Sequence, residues 1–92
     1  MERVVAVVPE AGLHARPASA FVQTVNQYTA TVTVGRPEDG PDGTVDANST
    51  LAVTGLGVGG GESVRIVAEG PDASDALDAL EAVLTTPVDD EE

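Results

Sequence analysis

The stretch SVRIVAEGPDASDALDALEAVL (63–84) changes its period halfway along. In 63–69, Val64, Ile66 and Ala68 alternate with Ser63, Arg65 and Glu69, and only Val67 breaks the pattern. Period two is the mark of a strand with one covered face. After Gly70 and Pro71, the apolar residues Ala73, Ala76, Leu77, Leu80 and Leu84 fall on one side of a 3.6-residue repeat. That spacing predicts a capped amphipathic helix of about three turns, with its acidic residues mostly on the opposite face. A strand that turns at once into a helix gives the chain its layered α+β character.

Working outward, each earlier segment falls into the same scheme. RVVAVV (3–8) is β-branched with little alternation and predicts a central or well-covered strand ending at Pro9. Residues 9–14 predict a loop. From Arg16, the residues Ala18, Phe21, Val22 and Val25 recur at helical spacing. Proline is tolerated only in a helix's first turn, so Pro17 puts the start beside His14, and the helix is expected to run to about Gln27. TATVTV (29–34) predicts a half-buried strand, GRPEDGPDG (35–43) a hairpin loop and TVDA (44–47) the short returning strand. NSTLAVTGL (48–56) predicts a brief helix capped by Asn48 or Ser49 and ended by Gly55. The order is β-α-β-β-α-β-α. It implies a two-layer α+β domain: a four-stranded, mainly antiparallel sheet with three helices on one face and the other face partly exposed. One domain over 1–88 is expected, followed by a disordered acidic tail at 89–92.

Composition narrows the function classes. The 92 residues include 16 acidic side chains, four arginines and no lysine, for a formal net charge of -12. Such a surface repels nucleic acid and anionic lipid. At about 1 M salt the Debye length is about 3 Å, and self-repulsion is screened. The acid-rich, lysine-free composition thus points to a halophile. No cysteine is present, so disulfides, thiolate metal sites and cysteine nucleophiles are excluded. One histidine cannot build a zinc site of the usual kind, and no EF-hand spacing occurs. The N-terminal apolar run is too short for a signal segment or a membrane span, so a cytoplasmic protein is expected.

Two further motifs carry little. GLGVGG (55–60) matches a dinucleotide-binding fingerprint by letter, but it follows a predicted helix and precedes a strand. The fingerprint needs the reverse, so this reads as a loop requiring positive φ angles. Without lysine there is no P-loop, and no nucleophile-elbow motif G-x-S-x-G appears. An acylphosphatase-like enzyme suits the length, yet its arginine would belong to a different motif.

PEAGLHARPASAFV (9–22) holds the only histidine and one of the four arginines. A lone histidine is ordinarily a surface residue. At a helix start, however, it meets unsatisfied N–H groups and the positive end of the dipole. That field favours neutral, nucleophilic imidazole, and the same N–H groups suit a phosphoryl dianion. Because Pro17 has no N–H, the backbone donors are those of its neighbours Arg16 and Ala18. Gly12 permits a bent approach of the loop. Arg16 can reach a phosphate oxygen with a charge-assisted bond; its alternative use is a surface ion pair. Ser49 reads first as a helix cap and second as a phosphorylation site.

GLHARPAS (12–19) resembles the active-site signature of the HPr family, the histidine-containing phosphocarriers of the phosphoenolpyruvate-dependent sugar phosphotransferase system. DANSTLAVTGLGV (46–58) is similar to that family's second conserved segment, and GESVRIVAEGPDASDALDAL (61–80) to its last strand and helix. The resemblance implies an open-faced β-sandwich and a carrier rather than a free-standing enzyme. It implies that His14 accepts a phosphoryl group on Nδ1 from enzyme I and passes it to an enzyme IIA domain or an equivalent acceptor. It further implies that Arg16 stabilises the phosphate and that Ser49 is a target of a serine kinase in some hosts. Ala15, Ser19, Ala20, Thr50, Leu51, Thr54 and Leu56 would form the docking surface. A covalent phosphohistidine intermediate, no cofactor, no metal and a monomer follow from the same likeness. The alternative is a regulatory HPr-like module acting through Ser49 and docking. Lysines common around the family's docking face are absent here, where Gln23, Asn26 and Ala52 stand, so docking through apolar contact is expected.

Overall fold

The computed structural model describes residues 1–8 and 15–85, with backbone alone at 15–17 and 41. Its elements are β1 (Glu2–Ala6), α1 (Ala15–Val25), β2 (Thr31–Gly35), β3 (Val45–Asp46), α2 (Thr50–Gly55), β4 (Ser63–Glu69) and α3 (Ala73–Thr85). Two short 3₁₀ turns, Pro37–Asp39 and Pro41–Gly43, lie in the β2–β3 connection. The sheet order is β1-β4-β2-β3, and every neighbouring pair is antiparallel. Val64 stands opposite Val5, and Ile66 opposite Val34.

β4 is therefore a central strand, and its alternation is strict: Val64, Ile66 and Ala68 are buried. The expected tail at 89–92 lies outside the described residues. β1 differs from its expectation, because it forms an edge of the sheet. Its side chains alternate after all, with Val5 buried and Val4 53 % exposed. The continuous apolar run hid this because Val4 sits on the open face, where a β-branched side chain still suits the pleated backbone.

The helices cover the other face. α3 packs on β1 and β4, α1 packs on α3, and α2 sits between α1 and β3. The helical spacing named the buried faces correctly: Ala18, Phe21, Val22 and Val25 of α1, and Ala73, Ala76, Leu77, Leu80 and Leu84 of α3. Phe21, Ile66, Leu77, Leu80 and Leu84 are among the largest fully buried side chains. Each stabilises the fold by about 1.5–3 kcal/mol through burial.

Element ends shift for local reasons. α1 stops at Val25 and not Gln27 because the chain tightens: Gln27 N–H donates to Thr24 O and Tyr28 N–H to Val25 O, both i→i−3 bonds. β2 starts at Thr31, two residues late. The N–H groups of Thr29 and Ala30 donate to the Asp72 carboxylate, at 2.9 and 2.8 Å, instead of to a strand partner. Asp72 thus ties the α1–β2 turn to the start of α3. The backbones close in tightly there: Gly70 has φ 144°, and a Cβ on it would lie 2.9 Å from Ala30 Cα. α2 is capped by Ser49 as expected, but Gly55 remains helical, and the chain leaves the helix at Gly57, with φ 69°.

Candidate functional site

The expected site residues fall around the start of α1 and on α2, which packs against α1. α1 starts at Ala15, the residue after His14 in the chain, so Pro17 falls in the first turn as its fixed φ demands. His14, Gly12 and the rest of 9–14 lie outside the described residues. Arg16 belongs to the first turn by its backbone. That turn contains no acidic residue, so no carboxylate of its own competes for the N–H groups at the positive end of the helix.

The chain leading to 9–14 is held firmly. Val7 N–H donates to Glu62 O at 2.7 Å, Gly61 N–H donates to Val7 O at 2.8 Å, and Val8 N–H donates to Leu84 O at 2.8 Å. The last of these satisfies a carbonyl at the C-terminal end of α3. The last described residues before 9–14 are thus fixed between the 57–62 turn and α3.

The expected phosphate-binding and docking residues divide by exposure. Ala18 is buried and anchors α1. Ser19 is exposed and Ala20 half-buried on the same helix. On α2, Thr50 is exposed and Leu51 is 83 % exposed, the most exposed large hydrophobic side chain among the described residues. Thr54 is half-buried, and its hydroxyl donates to the carbonyls of Thr50 and Leu51 at 3.0 and 3.1 Å. Leu56 is half-buried and packs against the core. Since α1 and α2 are in contact, these residues lie on two adjoining helices, with Leu56 just past the end of α2. Ser49 is half-buried, and its hydroxyl oxygen accepts the N–H of Ala52 at 3.2 Å.

A charge pattern escaped the reading of single motifs. Residues 11–35 contain no aspartate or glutamate, and residues 47–61 contain no charged residue at all. In a chain of net charge -12, both segments that build this face are spared carboxylates. Plotting acidic residues against position would have exposed the gap. Among the described residues no group of histidine, cysteine, aspartate or glutamate side chains could hold a metal ion, and no helix is long and apolar enough to cross a membrane.

Comparison with known proteins agrees with this arrangement. Residues 1–86 match the family model described as PTS HPr component phosphorylation site. The phosphocarrier protein HPr of Haloferax volcanii is 64 % identical over 87 residues, covering 95 % of this chain and 96 % of that protein. An HPr-like protein Crh from Halalkalibacterium halodurans is 34 % identical, over 91 % of this chain and 95 % of its own. The crystal structure of the phosphocarrier HPr of Bacillus anthracis superposes with a TM-score of 0.82 at 36 % identity, covering 91 % of this chain and 95 % of that one. The Haloferax relative accords with the acidic, lysine-free composition, which marks a halophile's protein. With sheet order, signature and family match in agreement, the chain belongs to the HPr family and is a phosphocarrier of the phosphotransferase system.

Proposed function

We propose that His14 is the phosphoryl acceptor of this carrier and Arg16 its charge partner. The observation that carries this reading is the start of α1, free of carboxylates, at the residue that follows His14 in GLHARPAS. The donor is the phosphohistidine of enzyme I. The Nδ1 lone pair of His14 forms a new N–P bond as the donor's N–P bond breaks, and the electron pair returns to the donor imidazole. One N–P bond replaces another, so the exchange consumes no water and needs no metal or cofactor. The second transfer, to an enzyme IIA domain or equivalent acceptor, is the same step with His14 as donor. Positioning and charge stabilisation dominate such transfers. Arg16 and the N–H groups of Arg16 and Ala18 meet the phosphoryl oxygens at the positive end of the helix dipole.

Partner docking rests on Ala15, Ser19, Ala20, Thr50, Leu51, Thr54 and Leu56. The absence of carboxylates across 11–35 and 47–61 supports this face. It lets a strongly acidic carrier approach an acidic partner without like-charge repulsion at the contact. The working unit is a monomer in the cytoplasm, one domain over 1–88 followed by the acidic tail 89–92. A second reading, a regulatory module acting through Ser49, draws on the likeness to Crh. Acid-stable phosphate on Ser49 in protein isolated from cells would favour it. The primary reading is tested with phosphoenolpyruvate and the cognate enzyme I at high salt. Arg16→Ala is expected to slow phosphoryl transfer by about 10–100-fold with an unchanged circular dichroism spectrum. Unaltered transfer would remove Arg16 from the site.

A further inference from the structure

We propose that Arg36 is a positioning residue for phosphoryl transfer: from the end of β2 it clamps the C-terminal end of α2 and thereby holds the docking face in place. The inference rests on the docking surface described above, and nothing in GLHARPAS or the α2 segment points to it.

α2 has only six residues, Thr50–Gly55, and no basic residue in its last turn. A helix that short is unstable unless its ends are held from outside. Ser49 holds the N-terminal end. At the other end the N–H groups of Leu56 and Gly57 turn back to Val53 O and Thr54 O, and the chain leaves through Gly57 with the carbonyls of Leu56 and Gly57, just past the helix, still lacking helical partners. Arg36 supplies them. Its Nε–H donates to Leu56 O at 3.2 Å and its Nη2 donates to Gly57 O at 2.8 Å. One planar guanidinium thus binds two successive carbonyls, a fork that lysine cannot reproduce. A cation at a helix C-terminus is also favoured by the dipole.

The clamp extends toward the end of β1. Nη1 of Arg36 lies 3.6 Å from Oε1 of Glu62 and 3.7 Å from Oε2 of Glu38. The same Glu62 oxygen accepts the N–H of Gly59 at 2.9 Å. The backbone carbonyl of Glu62 accepts the N–H of Val7, the residue two before Pro9. Arg36 therefore joins three segments: the end of β2, the C-terminal end of α2 with Leu56, and the 57–62 turn against which β1 leaves for 9–14. Because the contact face carries no lysine to steer partners, productive encounters depend on an apolar surface held in one geometry.

The test compares wild type with Arg36→Met, which keeps the stem and removes every donor, and with Arg36→Lys. Transfer from phospho-enzyme I is followed at saturating and limiting carrier, alongside amide hydrogen exchange. Arg36→Met is expected to raise the KM for the carrier about five- to tenfold with kcat within about twofold. Exchange should quicken at Val58 and Gly59 while β4 amides keep their protection. Arg36→Lys should recover less than half of the lost kcat/KM. An unchanged KM with only a lowered melting temperature would reduce Arg36 to a structural role and overturn the proposal, as would full recovery by lysine. Wild-type protein that accepts no phosphoryl group would overturn the reading of the site instead. In that case unchanged exchange at Val58 and Gly59 would still overturn the clamp, and faster exchange there would leave Arg36 a structural residue and not a positioning one.

Discussion

Asp72 shows how one side chain does work that periodicity cannot announce. Its carboxylate accepts N–H groups from Thr29 and Ala30, and these bonds hold its pKa below the usual carboxylate range. A carboxylate whose folded pKa is lowered contributes stability above its unfolded pKa and loses it as pH falls through the folded value. Wild type is therefore expected to lose stability on acidification below about pH 4, and Asp72→Ala to show a shallower decline with a lower plateau at neutral pH. Urea melts across that range check this; parallel curves would deny Asp72 the role. Beside it, Gly70→Ala would press a methyl against Ala30 at a positive φ, and a loss of about 1–3 kcal/mol is expected. Ser49→Ala removes the cap of α2 and is expected to cost about 1 kcal/mol by the same melts. A loss near zero would mean that the Ser49 hydroxyl contributes nothing to holding α2.

At the scale of elements, α1 and α3 were legible because core burial and helical period coincide on Phe21 and Leu80, both fully buried. β1 was misjudged because an apolar run on an edge strand looks like a central one, and only pairing reveals that its outer side is free. The starts of β2 and the end of α2 depended on Asp72 and Arg36, contacts between residues far apart in sequence. The site was legible in a different way: GLHARPAS carries its chemistry in adjacent residues, while the docking face needs two helices to meet. Leu51, 83 % exposed on α2, is the proposed centre of that face. It is too exposed to stabilise the fold, so Leu51→Asp should shift the melting temperature little and raise the KM for phospho-enzyme I about tenfold. Phe21→Ala should do the opposite, costing about 3–5 kcal/mol. If Leu51→Asp transfers as wild type does, α2 is not a contact element.

Over the whole molecule, charge sets the working conditions. Among the described residues, Arg3 pairs with Asp78 and Glu81, Arg36 with Glu38 and Glu62, and Arg65 with Glu2. Exposed pairs contribute about 0–1 kcal/mol each, too little to offset the repulsion of a net charge of -12. Melting temperature should therefore climb as potassium chloride rises from about 0.1 to 1 M, where the Debye length falls from about 10 to 3 Å. A flat profile would contradict the halophilic account. Phosphoryl carriage by His14 can be read from the mass of the intact protein. Wild type and His14→Ala are incubated with phosphoenolpyruvate and enzyme I at high salt, and intact mass is read before and after acid treatment. The expected result is one phosphoryl group on wild type, lost in acid, and none on His14→Ala. Equal labelling of the two proteins, or an acid-stable phosphate on wild type, would contradict it.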